Sequence, residues 1–435
     1  MQTSYSSSVI FDPFSNWLFV KLMNQNTLKV WSSNRLWAVS VGETLAWAGL
    51  FYIFPASLLR WKLHFAWSIS ELSVALMIAL IVSAVSGIGS GKVIDKGFGR
   101  ELMMIGVVLG GVCLAIVPFI QSLGSFYILW AVIGVAMGAC LYDPCFAILT
   151  RQYSSEAKEP IVMVSLLAGF SITFCFILST YISSVFSWQF SFYIFGFLLC
   201  FLAAPLFWFG ISADRGEKSL KEETPCKPNG FSTFVGDLIS KPFFWGLSIM
   251  FAAFALNHIM LISQILPLFE SKGATPTSSV LIASAMGPMQ VGGRVGLLLI
   301  EKRLKRQFDI VGVAIFSCLI LVCASGMLYV SETSLLVLGV FVVFQGVAFG
   351  IINLVKPVIV ATLLGESDFG FIAAIVGVGY ILGFAVAPGV SGLVSDFWGL
   401  DVLISTTFLI ALLGFVVFSY VVLKSRKVIN LKGWR

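Results

Sequence analysis

The chain has 435 residues, of which 58% are hydrophobic and only 11% charged, against about 25% charged in an average soluble domain. So little polar surface cannot coat a water-soluble globule, so lipid must be the solvent, and the length prior of roughly 150 residues per domain does not apply. The net charge of +6 is no nucleic-acid signal, because the basic residues lie in short segments between apolar runs, where they orient helices across a bilayer.

Residues 1–35 hold no apolar run followed by a small-residue cleavage site. They read as a retained cytosolic tail, partly amphipathic around Trp17, Leu18, Phe19 and Leu22. A hydrocarbon core about 30 Å thick takes about 20 apolar residues per helix. On that scale six spans fall near 36–58, 72–93, 102–121, 126–149, 161–184 and 189–212. The polar stretch 213–242 follows and reads as a disordered cytosolic linker, with a docking site for a partner as the alternative. Six more spans fall near 243–268, 277–299, 309–330, 335–359, 368–391 and 401–424, and 425–435 form a C-terminal tail. With the N-terminus inside, 22 of the 27 Lys and Arg fall in cytosolic segments. Three (Arg60, Lys62, Lys272) fall outside and two (Arg294, Lys356) within spans. That asymmetry places both termini in the cytosol.

Seven of the eight cysteines lie in apolar runs, no C-x-x-C occurs, and the two histidines are His64 and His258. Neither a disulfide framework nor a metal site is expected. The run Gly87–Lys92 resembles a phosphate loop, but Ser86 and Val93 stand where the pattern needs Gly and Ser/Thr. With a single intramembrane histidine, a Ser/His/Asp hydrolase is not assembled either.

The two halves repeat. Span four carries Gly134-Val-Ala-Met-Gly138 and then Asp143-Pro144; span ten carries Gly346-Val-Ala-Phe-Gly350 and then Lys356-Pro357. Small residues four apart let helices approach closely in lipid, and the prolines are expected to break the backbone ladder beside a neighbour or cavity. Parallel six-helix repeats are a design of two-bundle transporters. The loop after span two, Gly91-Lys92-Val93-Ile94-Asp95-Lys96-Gly97-Phe98-Gly99-Arg100, resembles the loop signature of the major facilitator superfamily, G-x-x-x-D-[RK]-x-G-x-[RK]. Its usual glycine falls at Phe98, with glycines on either side, so the turn is expected to be built differently here. Within the superfamily the chain is similar to the monocarboxylate-transporter-like branch. Trp67-Ser68 with Leu72-Ser73, Arg294, and Pro388, Gly392, Asp396 and Gly399 carry that similarity. In that branch an Asp typically stands one turn before the span-eight Arg, where this chain has Gln290. Span four has Trp130 in place of an early Arg, and span five lacks G-P-x-x-G-G, so the drug/proton antiporter signatures are missing.

Charges inside a membrane are costly and usually face a cavity or a partner. Glu43, Asp143, Arg294 and Lys356 each lie eight to ten residues from a charged cytosolic landmark, hence roughly 12 Å deep. Two acids and two bases thus share one layer. Either they neutralise one another as structural pairs between the bundles, or Arg294 and Lys356 bind an anionic substrate while Glu43 or Asp143 carries a coupled proton. The resemblance implies that spans one, four, seven and ten line the pathway, which adds Asn257, His258 and Asn353; Gln290 accompanies Arg294. It also implies that Gly91, Asp95 and Arg100 form a cytosolic gating latch.

The sequence therefore predicts an all-α membrane protein with twelve transmembrane helices in two six-helix bundles, 36–212 and 243–424. It reads as a monomeric secondary active transporter of a bacterial inner (plasma) membrane, without cofactor and not an enzyme. It moves a small organic solute, with organic anions and proton symport favoured, by alternating access. An exporter of a metabolite or siderophore and a transport-inactive sensor are the alternatives.

Overall fold

A computed structural model describes residues 30–213, 236–304, 308–330, 334–364 and 369–429. Residues 1–29 of the expected N-terminal tail, 214–235 of the linker and 430–435 of the C-terminal tail lie outside the described residues. The first six spans are α1 (Asn34–Phe65), α2 (Ile69–Asp95), α3 (Gly99–Phe119), α4 (Leu123–Tyr153), α5 (Lys158–Val185) and α6 (Trp188–Gly210). The second six are α7 (242–271), α8 (276–304), α9 (Ile310–Val330), α10 (Leu335–Leu364), α11 (Phe369–Trp398) and α12 (Leu400–Ile429). Eleven are long and apolar enough to cross a membrane as they stand. The twelfth, α8, is two helices joined at Ala285, carries Arg294 and ends on Glu301-Lys302-Arg303, which lowers its hydropathy without shortening it.

Helix ends follow local chemistry. The α2 start is a capping box: the Ser68 hydroxyl accepts from Glu71 N–H, and the Glu71 carboxylate accepts from Ser68 N–H at 2.8 Å. Between α2 and α3 the loop turns on Gly97, at φ +84°, a conformation costly for other residues. Gly99 lies where a Cβ would press on the Ile148 side chain, so the glycines flanking Phe98 do the work of the displaced one. Two expectations change. Span one runs on to Phe65, so Arg60 is a helix residue, not a loop residue. It donates to the Ser179 and Thr180 hydroxyls of α5. And the two prolines differ: α4 breaks at Leu141 (ψ −163°) just before Asp143, while Pro357 sits inside an unbroken α10.

Close helix packing within each half uses the repeat. Gly134 and Gly138 lie on the α2 backbone at Ala79 and Ser83, and Gly346 and Gly350 lie on the α8 backbone at Met286 and Gln290. Helix α2 against α4 in the first half thus matches α8 against α10 in the second. The halves meet chiefly through α2–α11 and α5–α8. Along α2–α11, Gly389 seats Met77, Gly392 seats Ser70 and Ser73, and the Asp396 carboxylate accepts from Ser70 N–H at 2.6 Å. Gln264 of α7 reaches Ser73 at 3.1 Å. All these contacts lie at the end holding Trp67–Ser68. There one apolar core runs through both halves, from Phe54 and Trp61 to Leu268 and Phe269. At the opposite end the second half has a core of its own, around Phe251, Ile352 and Phe418. Among the described residues, the core shared by the two halves is the one at the Trp67–Ser68 end.

Candidate functional site

Arg294, on α8, is buried at the seam. Its Nη1 donates to the Ser165 carbonyl of α5 at 2.8 Å, and its Nε to the Gly350 carbonyl of α10 at 3.3 Å. Nη2 makes no hydrogen bond among the described residues and is not sealed from solvent-sized space. The guanidinium is therefore held on two sides with one edge to offer, the geometry that suits a carboxylate. Gln290, one turn earlier, is buried with its amide nitrogen unpartnered.

Lys356 and Asp143 occupy equivalent places of the two halves and lie within electrostatic reach of each other, but no ion pair closes between them. The Lys356 ammonium instead rests 3.7 Å over the Tyr380 ring and 5.5 Å from that of Phe251, each a cation–π distance. Asp143 is exposed, just after the break in α4, and Asn353 is half-buried.

Glu43 of α1 is fully buried. One oxygen accepts from Trp47 Nε1 at 3.1 Å, and the other has no partner among the described residues. Among the described residues no Lys, Arg or His forms an ion pair with it. Directly after Trp47, α1 makes a π-helical turn over Ala48–Tyr52, a feature frequent at functional sites.

Two expected lining residues bond within the second half. Asn257 is fully buried, donating to Ser325 Oγ and the Thr407 carbonyl and accepting from Gln345. His258 is 1% exposed, stacked on Phe349 at 3.6 Å, with Nδ1 3.4 Å from Gln345 and no hydrogen bond at Nε2 among the described residues. The polar groups of Asn257 are thus taken up by its own bundle. At the loop, Asp95 is exposed and its carbonyl accepts from Arg151, while Arg100 pairs with Glu101 at 3.4 Å and stacks on Trp208. Gly91 faces open space.

Sequence reasoning missed a set of aromatic residues. Tyr142 packs on Trp47 at 4.7 Å, Phe51 on Phe384 across the seam at 5.7 Å, and Tyr380 on Phe384 at 6.1 Å. Tyr142 stands beside Asp143 and Tyr52 ends the π-turn. The only sequence signal was that adjacency, faint in a chain where 14% of residues are aromatic.

A profile of the Major Facilitator Superfamily matches residues 36–338, from α1 into the start of α10. The chain belongs to the major facilitator superfamily. It is a multi-pass membrane protein of a transporter family, with the two-bundle, twelve-helix fold of that superfamily. Similar solved structures include a bacterial homologue of the human lysosomal transporter Spinster, inward-facing and occupied. That structure has 12% identity and a TM-score of 0.66, over 89% of this chain and 96% of that one. A bacterial Spinster homologue in an inward-facing, unoccupied conformation has 14% identity and a TM-score of 0.64, over 92% and 96%. The nucleoside transporter NupG has 14% identity and a TM-score of 0.66, over 89% and 98%. At such identities the likeness is one of fold. A search of curated protein sequences found no match.

Proposed function

We propose that this superfamily member is a proton-coupled symporter of small organic anions in a bacterial inner membrane, acting as a monomer and allied to the monocarboxylate-transporter-like branch. The observation that carries the reading is the free edge of Arg294 at the seam, in one layer with Lys356, Asp143 and the unbalanced carboxyl of Glu43. A carboxylate entering this layer meets a guanidinium with a donor to spare and an ammonium held by a ring rather than by an acid. The substrate's charge is then matched by these two cations, and Glu43 supplies a place for the proton that travels with it. The shared core and the α2–α11 seam lie at the end away from Asp95 and Arg100, the side assigned to the cytosol, which supports an inward-open state. Outward opening would part α2 from α11 at Ser70 and Asp396, by rocking one half against the other.

The test is uptake in proteoliposomes. Solute entry should rise with an inward proton gradient and stop with a protonophore. Glu43→Gln keeps an acceptor for Trp47 Nε1, so it should fold like the parent; it should bind solute yet no longer respond to the gradient. Gradient-driven uptake at the parental rate in this variant would take the proton role away from Glu43.

A further inference from the structure

Three phenols, Tyr52 of α1, Tyr142 of α4 and Tyr380 of α11, lie within electrostatic reach of the Arg294 guanidinium. None of the three hydroxyls has a hydrogen-bond partner among the described residues, so each is free to donate to a ligand. None is sealed away, and all three side chains are half-buried. They come from three different helices, two of one half and one of the other, so chance adjacency along a single helix does not explain them. Their rings belong to a continuous aromatic arc. It runs from Tyr142 to Trp47 at 4.7 Å and on to Tyr52 at 6.3 Å. It then passes through Phe51 to Phe384 and ends at Tyr380 beneath Lys356. Trp47 and Phe384 are likewise half-buried, each with part of its ring uncovered. The arc therefore carries unbonded hydroxyls within electrostatic reach of Arg294 and ring faces alongside them.

We infer that this site takes an arenecarboxylate: the carboxylate sits on Arg294 Nη2 and the hydroxyls of Tyr52, Tyr142 and Tyr380, and the ring lies against Trp47 and Phe384. The inference rests on the anion reading above and adds two things to it. The three tyrosines are specificity residues, and the body of the solute is a flat ring. Oxygens of one carboxylate have lone pairs enough for a guanidinium edge and several hydroxyls, and a ring gains from offset or edge contact with the arc beyond its buried area. An acetate-sized anion would reach the donors but leave the rings unused.

The experiment compares three probes on the purified full chain by thermal shift and Trp fluorescence: benzoate, cyclohexanecarboxylate of the same size and charge, and acetate. Benzoate should bind roughly fivefold more tightly than cyclohexanecarboxylate, the factor expected of one aromatic pair, and acetate more weakly than either. Tyr52→Phe, Tyr142→Phe and Tyr380→Phe remove hydroxyls that bond nothing in the protein, so they should leave the parental melting temperature intact. Each should weaken benzoate roughly tenfold, as loss of a hydrogen bond to a charged group does. Equal binding of benzoate and cyclohexanecarboxylate, or full benzoate affinity in all three variants, would overturn this inference and leave the anion reading standing. If none of the three carboxylates binds the folded parent, the anion reading falls and this one with it.

Discussion

The contest at the residue scale is between charge as scaffold and charge as ligand. Had Asp143 and Lys356 formed a sealed ion pair, losing one partner would cost about 3–5 kcal/mol. They do not: Asp143 is exposed and Lys356 lies on Tyr380. Their mutual attraction is therefore closer to a solvated pair, worth about 1 kcal/mol or less. Lys356→Met should accordingly unfold within about 1 kcal/mol of the parent, and the double variant Asp143→Asn with Lys356→Met should fold as well but carry no anion. Arg294→Lys should fail too, since an ammonium offers no planar fork to replace Nη1 and Nη2 together. Parental uptake by the double variant would assign this layer to structure. That the charged layer was legible from spacing, while its tyrosines were not, has a physical cause. A charge in a span is rare enough to demand a reason, whereas an aromatic ring is at home there. Asn257 shows the reverse: it is as conspicuous in the sequence, yet Ser325, Thr407 and Gln345 satisfy it from the rest of its own bundle, which no linear spacing reveals.

Elements were the most legible level. Twelve apolar runs, set by bilayer thickness, matched twelve helices, while several ends ran well past the span, to Phe65 in α1 and Trp398 in α11, and the α2 start moved back to its Ser68 cap. The repeated glycines marked real contacts, and these yield a sharp comparison within α10. At Gly350 a Cβ would press into the backbone of Gln290, while at Gly339 nothing lies within 4 Å. Gly350→Ala should therefore destabilise by about 1–3 kcal/mol through overpacking and drag the carbonyl that holds Arg294 Nε, lowering uptake. Gly339→Ala should be neutral or stabilise by up to about 1 kcal/mol. Equal melting temperatures for the two would contradict the close approach of α8 and α10. The break at Leu141 was not legible, because Pro144 and Pro357 look alike in sequence. What differs is the fold around them: the first lies just past a broken turn, the second within an unbroken helix.

For the whole molecule, the seam between α2 and α11 decides which side is open. At Gly392 a Cβ would stand 2.7 Å from the Ser73 Cβ, closer than side chains pack, so Gly392→Ala should wedge α2 from α11 and destabilise the closed seam by about 1–3 kcal/mol. In a Ser73→Cys background the added methyl should make that thiol more accessible to a membrane-impermeant reagent from the Trp67–Ser68 end. Accessibility equal to that of Ser73→Cys alone would mean that this seam does not decide which side is open. The composition of the same seam bears on how easily it parts. Its facing surfaces set Ser70, Ser73, Gln264, Gly389, Gly392 and Asp396 beside Met77 and the Phe51–Phe384 pair. Once separated, the polar part would be wettable at once, because water takes over the bonds that Asp396 and Gln264 give up, and only part of the face is left oily in an aqueous vestibule. A seam of interlocked leucines alone would hold more tightly and reopen reluctantly; one that mixes hydroxyls and bare backbone with its apolar contacts is suited to opening and closing with every cycle.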